Sequence, residues 1–254
     1  LPRKLGQHFL LHEPVLKRLA TAACGEHTHR VIEIGPGRGA FTKNLLPLVD
    51  ELHAIEVDEG LVNHLRQKFA GQEKLKIHHA DVLRTDLSQW GPAVITGNLP
   101  YYITSPIIEK FLKLDASFPS AVFLIQLEVA HRLMADRMTR DFGYMTVATQ
   151  LVCSVELICK VDPKAFNPPP RVESAAIRLV RKNDIPSDLD DILQFTSRCL
   201  TYKRKTIRNN LRPYYGVEAD RQPEGFMRAE QLGVPGLVAL YRRLQARVPA
   251  RPST

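Results

Sequence analysis

The 254-residue sequence predicts an α/β fold, a largely parallel sheet with helices on both faces, followed by a small all-helical C-terminal domain. Three observations carry this. Apolar runs of strand length alternate with helical stretches through the first two thirds of the chain, the pattern of βαβ units. A glycine-rich turn, "GPGRG", joins the first such run to the helix after it. Beyond "KNDIPSD" (182–188) every apolar run has helical spacing.

The elements follow in order. "RVIEIG" (30–35) is the first buried strand and "AFTKNLLPLV" the helix behind it. "ELHAIEVD" (51–58), the helix "EGLVNHLRQKFA" and "LKIHHAD" (75–81) add two more strands and their connection. "AVITGN" (93–98) is an apolar run suited to a strand buried on both faces, and "PIIEKFLKL" is the next helix. "AVFLIQLE" (121–128) is the fifth strand, with helices at "VAHRLMADR" and "YMTVATQLV". "SVELICKV" and "ESAAIRLVR" are short and β-rich, separated by the proline-dense "DPKAFNPPPRV", and form a closing antiparallel pair. His78 and His79 read as strand-packing residues. The helical runs are "LDDILQFTSRCLTY", "RKTIRNNLRPYY" and "GLVALYRRLQARV". This places an α/β domain at 1–184 and a helical domain at 185–254, with a frayed tail at "VPARPST".

Composition narrows the function. With 44% hydrophobic and 24% charged residues the chain is an ordinary globular protein, and no apolar stretch reaches the roughly 18 residues a membrane span needs. The basic start is interrupted by polar residues and lacks the cleavage site of a signal peptide. Cys24, Cys153, Cys159 and Cys199 form no CxxC pair, so neither a disulfide framework nor a zinc site is indicated, and a reducing cytoplasm is the expected setting. A net charge of +8 points to a polyanionic partner. Twelve Lys or Arg stand against seven Asp or Glu from residue 186 onward, so the excess is concentrated there.

Gly35, Gly37 and Gly39 sit at the carboxyl edge of the first strand, where doubly wound, Rossmann-like sheets bind ligands. Their spacing is GxGxG and not the GxGxxG of a pyrophosphate loop. Glu56 ends the second strand, about 20 residues on, where a carboxylate accepts from both ribose hydroxyls. Asp81 ends the third and is placed to accept from an adenine amine. Two acids beside glycines, without a phosphate-binding Lys, Ser or Thr, favour a nucleoside lacking a phosphate chain. S-adenosylmethionine (AdoMet) is the common cofactor of that kind.

"GNLPYYITSP" (97–106) follows the fourth strand directly. An isolated NxPY is usually just a turn, but this one stands at the edge that carries the cofactor residues. An exocyclic amine is a poor nucleophile because its lone pair is delocalised into the purine ring. Hydrogen bonds to both amine hydrogens aim that lone pair at a methyl group. Asn98 offers a side-chain carbonyl, and the backbone of Leu99 or Pro100 the second acceptor. Pro100 stiffens the turn, and Tyr101 offers a face for a base taken out of its stack.

With these residues in hand the chain resembles the KsgA-type ribosomal RNA small-subunit adenine dimethyltransferases over nearly its whole length. "GQHFL", "EIGPGRGAFT", "IEVD", "HADVL", "GNLPY", "QLEVAHRL", "AFNPPPRVESAAIRL" and "RKTIRNNL" fall in that family's order. The resemblance implies an AdoMet-dependent enzyme that dimethylates N6 of two adjacent adenosines near the 3′ end of small-subunit (16S) rRNA, during subunit assembly. It implies cofactor contacts at His8, Leu10, Gly35, Glu56, Asp81 and Asn98, a catalytic loop of Asn98, Leu99, Pro100 and Tyr101, and Phe166 as a second aromatic wall for the base. Its partner is then rRNA in a partly assembled subunit, and the enzyme is a cytoplasmic monomer with neither metal nor membrane. His8 and Tyr102 stand where the family commonly has Asn, and Glu173 where it has Asp.

For RNA contact the helical spacing predicts Lys203, Arg204, Lys205, Arg208 and Arg212 within three helical turns. Arg3, Lys4, Arg137 and Arg140 extend the basic set. Competing readings are a large-subunit rRNA adenine dimethyltransferase conferring antibiotic resistance, a DNA adenine methyltransferase, and an assembly factor whose catalysis is secondary.

Overall fold

The computed structural model describes residues 8–247, so Arg3, Lys4 and the 248–254 tail lie outside the described residues. The chain runs through β1 (Phe9–Leu10), α1 (Glu13–Cys24), β2 (Thr28–Ile34), α2 (Ala40–Leu45), β3 (Val49–Glu56), α3 (Glu59–Lys68), β4 (Leu75–His79) and β5 (Val94–Asn98). It continues with α4 (Thr104–Leu112), β6 (Ser120–Gln126), α5 (Leu127–Leu133), α6 (Tyr144–Val152), β7 (Cys153–Val161), β8 (Phe166–Asn167) and β9 (Ser174–Arg181). The last helices are α7 (Leu189–Leu200), α8 (Ile207–Tyr215), α9 (Val217–Asp220) and α10 (Ala229–Arg247).

Two compact units form. The first takes residues up to Ala130 and adds Cys153–Arg181. Its seven-stranded sheet has the order β4-β3-β2-β5-β6-β9-β7. β2 through β6 are parallel, and β9 lies between β6 and the edge strand β7, antiparallel to both. The connection order reverses between β2 and β5, and the crevice at such a switch point is where open α/β sheets bind ligands. β6 is buried at six consecutive residues, Ser120 through Ile125, as a strand covered on both faces must be. α1, which the strand-and-helix pattern of the sequence did not suggest, packs Leu16, Leu19, Ala20 and Ala23 into the core containing Val31, Leu52 and Leu124. His78 packs as expected, its ring 5.2 Å from that of His53 and 4.5 Å from that of Trp90.

The second unit combines His131–Val152 with the chain from Lys182 onward. Its core joins Phe142, Val147 and Leu151 to Ile192, Phe195, Leu211, Leu237 and Tyr241. The sequence reading placed 131–152 in the first domain. The structure differs because these apolar residues bury against the C-terminal helices, a long-range pairing that periodicity does not encode. α10 is interrupted at Gly233, whose φ of 66° is left-handed. A second difference concerns the basic run. Tyr202–Lys205 is a turn, and α8 starts only after Thr206, whose side chain accepts from Asn209 N. Lys203, Arg204 and Lys205 therefore precede the helix and do not ride on it.

Candidate active site

At the carboxyl edge of β2, β3 and β5 the first unit opens a cavity of about 600 Å³. It is lined by His8, Leu10, Gly35, Glu56, Asp81, Asn98, Leu99, Pro100 and Tyr101, among others. The structure thus brings together nine positions named from the sequence, drawn from five separate segments.

Local physics explains each placement. Gly35 and Gly37 have φ of +66° and +56°, conformations that a side chain resists, and a Cβ on Gly37 would lie 2.9 Å from the Phe9 ring. Gly35 N donates to Ile55 O at 3.0 Å, tying the turn to the end of β3. Glu56 is 4% exposed and is held by three backbone N–H groups: Val57 and Asp58 reach Oε1 at 2.9 and 3.1 Å, and Gly37 reaches Oε2 at 3.2 Å. Burial raises its pKa, while these bonds to the ionised form oppose the rise. Asp81 Oδ1 accepts from Leu83 N at 2.9 Å, which fixes the loop leaving β4.

The corner after β5 is the most constrained part. Gly97 is the residue that allows it, since a Cβ there would collide with the carbonyl oxygen of Ile34 on β2. Leu99 N donates to Leu124 O at 3.0 Å, and Pro100 O accepts from Ile103 N and Thr104 Oγ1, both at 3.1 Å. Asn98 Nδ2 donates to His8 O at 2.9 Å. With its nitrogen committed there, the amide's carbonyl oxygen is the end left to accept. Because the contact uses the backbone of residue 8, it does not depend on His8 replacing Asn.

The His8 ring has a separate function. Its Nδ1 lies 2.8 Å from Pro168 O, and since a carbonyl only accepts, Nδ1 carries the hydrogen. The ring also stacks on Tyr101 with centroids 5.7 Å apart. Tyr101 in turn pairs its hydroxyl with Ser174 Oγ at 2.8 Å, and burial raises its pKa.

Phe166 departs from expectation. It is 4% exposed, belongs to the hydrophobic core, pairs through β8 with Leu10, and is not among the residues that line the cavity. Beside Tyr101 the lining includes Tyr102, the next residue, which is 60% exposed. Glu33 was also not singled out from the sequence. It lines the cavity fully buried, with Thr42 Oγ1 donating to its Oε2 at 2.7 Å, and burial pushes its pKa up to about 8. Only its place at the end of a strand preceding the glycines hinted at it.

Electrostatics restrict what the cavity accepts. Glu56, Asp58, Glu59 and Asp81 line it against one guanidinium, Arg38, with the buried Glu33 carboxyl beside them holding its proton at neutral pH, although the chain as a whole is +8. Such a lining repels a pyrophosphate and suits a nucleoside carrying positive charge. Among the described residues there is no cluster of His, Cys, Asp and Glu able to hold a metal, and no helix is long and apolar enough to cross a membrane.

In the second unit the basic residues are partly engaged. Lys203 Nζ donates to Phe142 O at 3.0 Å. Arg208 and Arg212 both face Asp220, at 3.8 and 3.7 Å. Arg137 and Arg140 belong to this same unit and are exposed, as are Arg204 and Lys205.

Comparison with known proteins agrees with this geometry. The family model described as "Ribosomal RNA adenine dimethylase" matches residues 2–228. The chain is 37% identical to the ribosomal RNA small subunit methyltransferase A of Acidobacterium capsulatum, over 96% of this chain and 91% of that protein. It is 36% identical to the protein of the same name from Picosynechococcus sp., over 96% and 97%. Among solved structures, the dimethyladenosine transferase of Plasmodium falciparum superposes with a TM-score of 0.80 at 24% identity, covering 93% of this chain and 98% of that one. The 23S rRNA methyltransferase ErmE gives 0.72 at 26%, covering 93% and 99%. A match across most of the chain, together with relatives above one third identity over nearly their full length, makes this protein a member of the ribosomal RNA adenine dimethylase family.

Proposed function

We propose that the chain transfers methyl groups from AdoMet to N6 of two adjacent adenosines near the 3′ end of small-subunit rRNA, giving N6,N6-dimethyladenosine. Membership of the family and the small-subunit names of its relatives support this activity. AdoMet is the donor that the family and this methyltransferase fold imply in general. The observation that carries the reading is the placement of Asn98, with its amide nitrogen held by His8 O, in the same cavity as Gly35 and Glu56.

When bound, AdoMet supplies an electrophilic sulfonium methyl group. Glu56 would accept from the ribose hydroxyls, and its three N–H partners favour the ionised form, opposing the rise in pKa that burial causes. Asp81 would accept from the adenine amine, and Gly35 and Leu10 would give backbone and apolar surface to the nucleoside. His8 enters through its backbone, by fixing Asn98.

On the acceptor side, Asn98 Oδ1 takes one hydrogen of the target amine. Pro100 O is already engaged by Ile103 and Thr104, which makes Leu99 O the second acceptor. Together they orient the nitrogen lone pair, as preorganised dipoles do. An amine so oriented would be the acceptor for that methyl group, and its proton would leave to water, because an amide is too weak a base to take it. Tyr101 and Tyr102 receive the flipped adenine, the second standing in for the wall expected from Phe166. Arg204, Lys205, Arg137 and Arg140 bind phosphates of the rRNA. The enzyme acts in the cytoplasm, as a monomer, on partly assembled subunits.

Incubation of purified small and large subunits with labelled AdoMet, followed by mass mapping of the rRNA, tests this. Label in two neighbouring adenosines of the small-subunit rRNA is the expected result. Label confined to the large subunit would transfer the assignment to the activity named for ErmE.

A further inference from the structure

Three aromatic rings of the helical unit stand in solvent, and each has a cation on one face. Phe226 is 73% exposed, with the Arg208 guanidinium 4.8 Å from its centroid. Tyr202 and Tyr214, both more than half exposed, carry Lys205 Nζ at 4.5 Å and the Arg198 guanidinium at 4.6 Å. All six residues fall within 198–226, in the part of the chain that holds most of the net positive charge.

Phe226 is the clearest case. A phenyl ring this exposed gains nothing from the core, yet its backbone is firmly held. It ends the 3-10 turn Pro223–Phe226, in which Met227 N donates to Glu224 O at 2.9 Å. Ile207 N donates to Met227 O at 2.8 Å, joining that turn to the start of α8, where Arg208 is the second residue. Gln222 anchors the other end through Glu218 O at 3.0 Å. Arg208 is itself oriented by Asp220. The ring is therefore carried on a held backbone, with a cation over one face and most of its surface in solvent.

An exposed aromatic ring beside cations is what an unpaired nucleobase recognises. The ring stacks on the base while the cations meet the flanking phosphates. A patch of cations is a poor match for a basic ribosomal protein, so charge complementarity selects RNA. We propose that Phe226, backed by Arg208, is a stacking platform for an unpaired base of the rRNA, so that the helical unit grips bases as well as phosphates. This rests on the functional reading above and extends it to a contact outside the cavity.

Phe226→Ala and Phe226→Trp test the proposal, and neither touches the core. Phe226→Ala is expected to bind small subunits on the order of tenfold more weakly with an unchanged salt slope, since no charge is lost. Phe226→Trp is expected to keep parental affinity. Its added indole emission, measured as the difference from the parent with its single Trp90, should be quenched by a short oligoadenylate and not by an abasic oligomer of equal length. Parental affinity for subunits in Phe226→Ala would overturn the platform. So would equal quenching by both oligomers, or weakened subunit binding without any quenching, which would assign the ring to a protein contact. Methyl transfer by the parent, scored on the same subunits, separates the failures. A parent that transfers none sinks the functional reading and this inference together, whereas normal transfer with an indifferent Phe226 sinks the inference alone.

Discussion

Asn98 gives a hydrogen of its side-chain amide to the backbone carbonyl of His8, 2.9 Å away and 90 positions earlier in the chain. One bond therefore sets which end of the amide is free and ties the segment before α1 to the corner after β5. Asn98→Ala removes both effects and is expected to lower the methylation rate roughly 10²–10³-fold, the cost of losing one preorganised acceptor. His8→Asn keeps the carbonyl and should leave the rate near the parental value. Single-turnover rates of the two variants check this, and a large loss in His8→Asn would show that its ring, not its backbone, matters.

The two aromatics near the cavity should fail differently. Tyr102→Ala is expected to raise KM for the subunit about tenfold, as the loss of a stacked base does, with little change in stability. Phe166→Ala empties a core position and should cost roughly 3–5 kcal/mol of stability. Thermal melts beside steady-state kinetics distinguish them; a Tyr102→Ala enzyme with unaltered KM would remove it from the substrate site.

Glu33 predicts a pH dependence of stability. Its carboxyl holds the proton more tightly in the folded chain, with a pKa of about 8 against an ordinary 4.5. The folded state then binds more protons than the unfolded one across that window, so stability falls as pH rises through it and levels off above. Glu33→Gln keeps an acceptor for Thr42 and removes the titration. Melting temperature plotted against pH should therefore fall more steeply for the parent than for the variant, and parallel curves would contradict the assignment.

Basic residues in the 202–205 turn divide by role. Lys203→Ala loses the bond to Phe142 O and is expected to cost about 1 kcal/mol of stability. Arg204→Ala with Lys205→Ala should weaken subunit binding and reduce the salt slope by about two. Binding measured at several salt concentrations decides; an unchanged slope would move the phosphate contacts elsewhere.

Gly97→Ala puts a Cβ into the carbonyl of Ile34 and should displace the corner that carries Asn98. Both AdoMet affinity by calorimetry and methylation are expected to drop together, and a fully active variant would show that β2 and β5 have room to part.

Much of this was legible in the residues alone, for a physical reason. Glu56 and Asp81 sit at strand ends, and a period-two or all-apolar run shows where a strand stops, so their shared edge followed from the βαβ pattern. An aromatic among prolines, such as Phe166, carries no mark of how deeply it is buried; its packing beside Leu10 comes from a pairing across the chain. Lys203 through Lys205 looked helical since Lys and Arg are good helix formers, but Thr206 caps the helix after them. α1 has Leu16, Leu19, Ala20 and Ala23 at helical spacing, but no side chain caps its start, so the sequence marks its boundary only weakly.

The chain leaves the sheet unit after Ala130, rejoins it at Cys153 and leaves again after Arg181. A protein cut short at residue 181 would keep the excursion between those first two points while discarding the helices that bury Phe142, Val147 and Leu151. Such a fragment would carry bare apolar surface and aggregate. Isolating the catalytic half therefore calls for excising 131–152 and bridging the gap, not merely trimming the end.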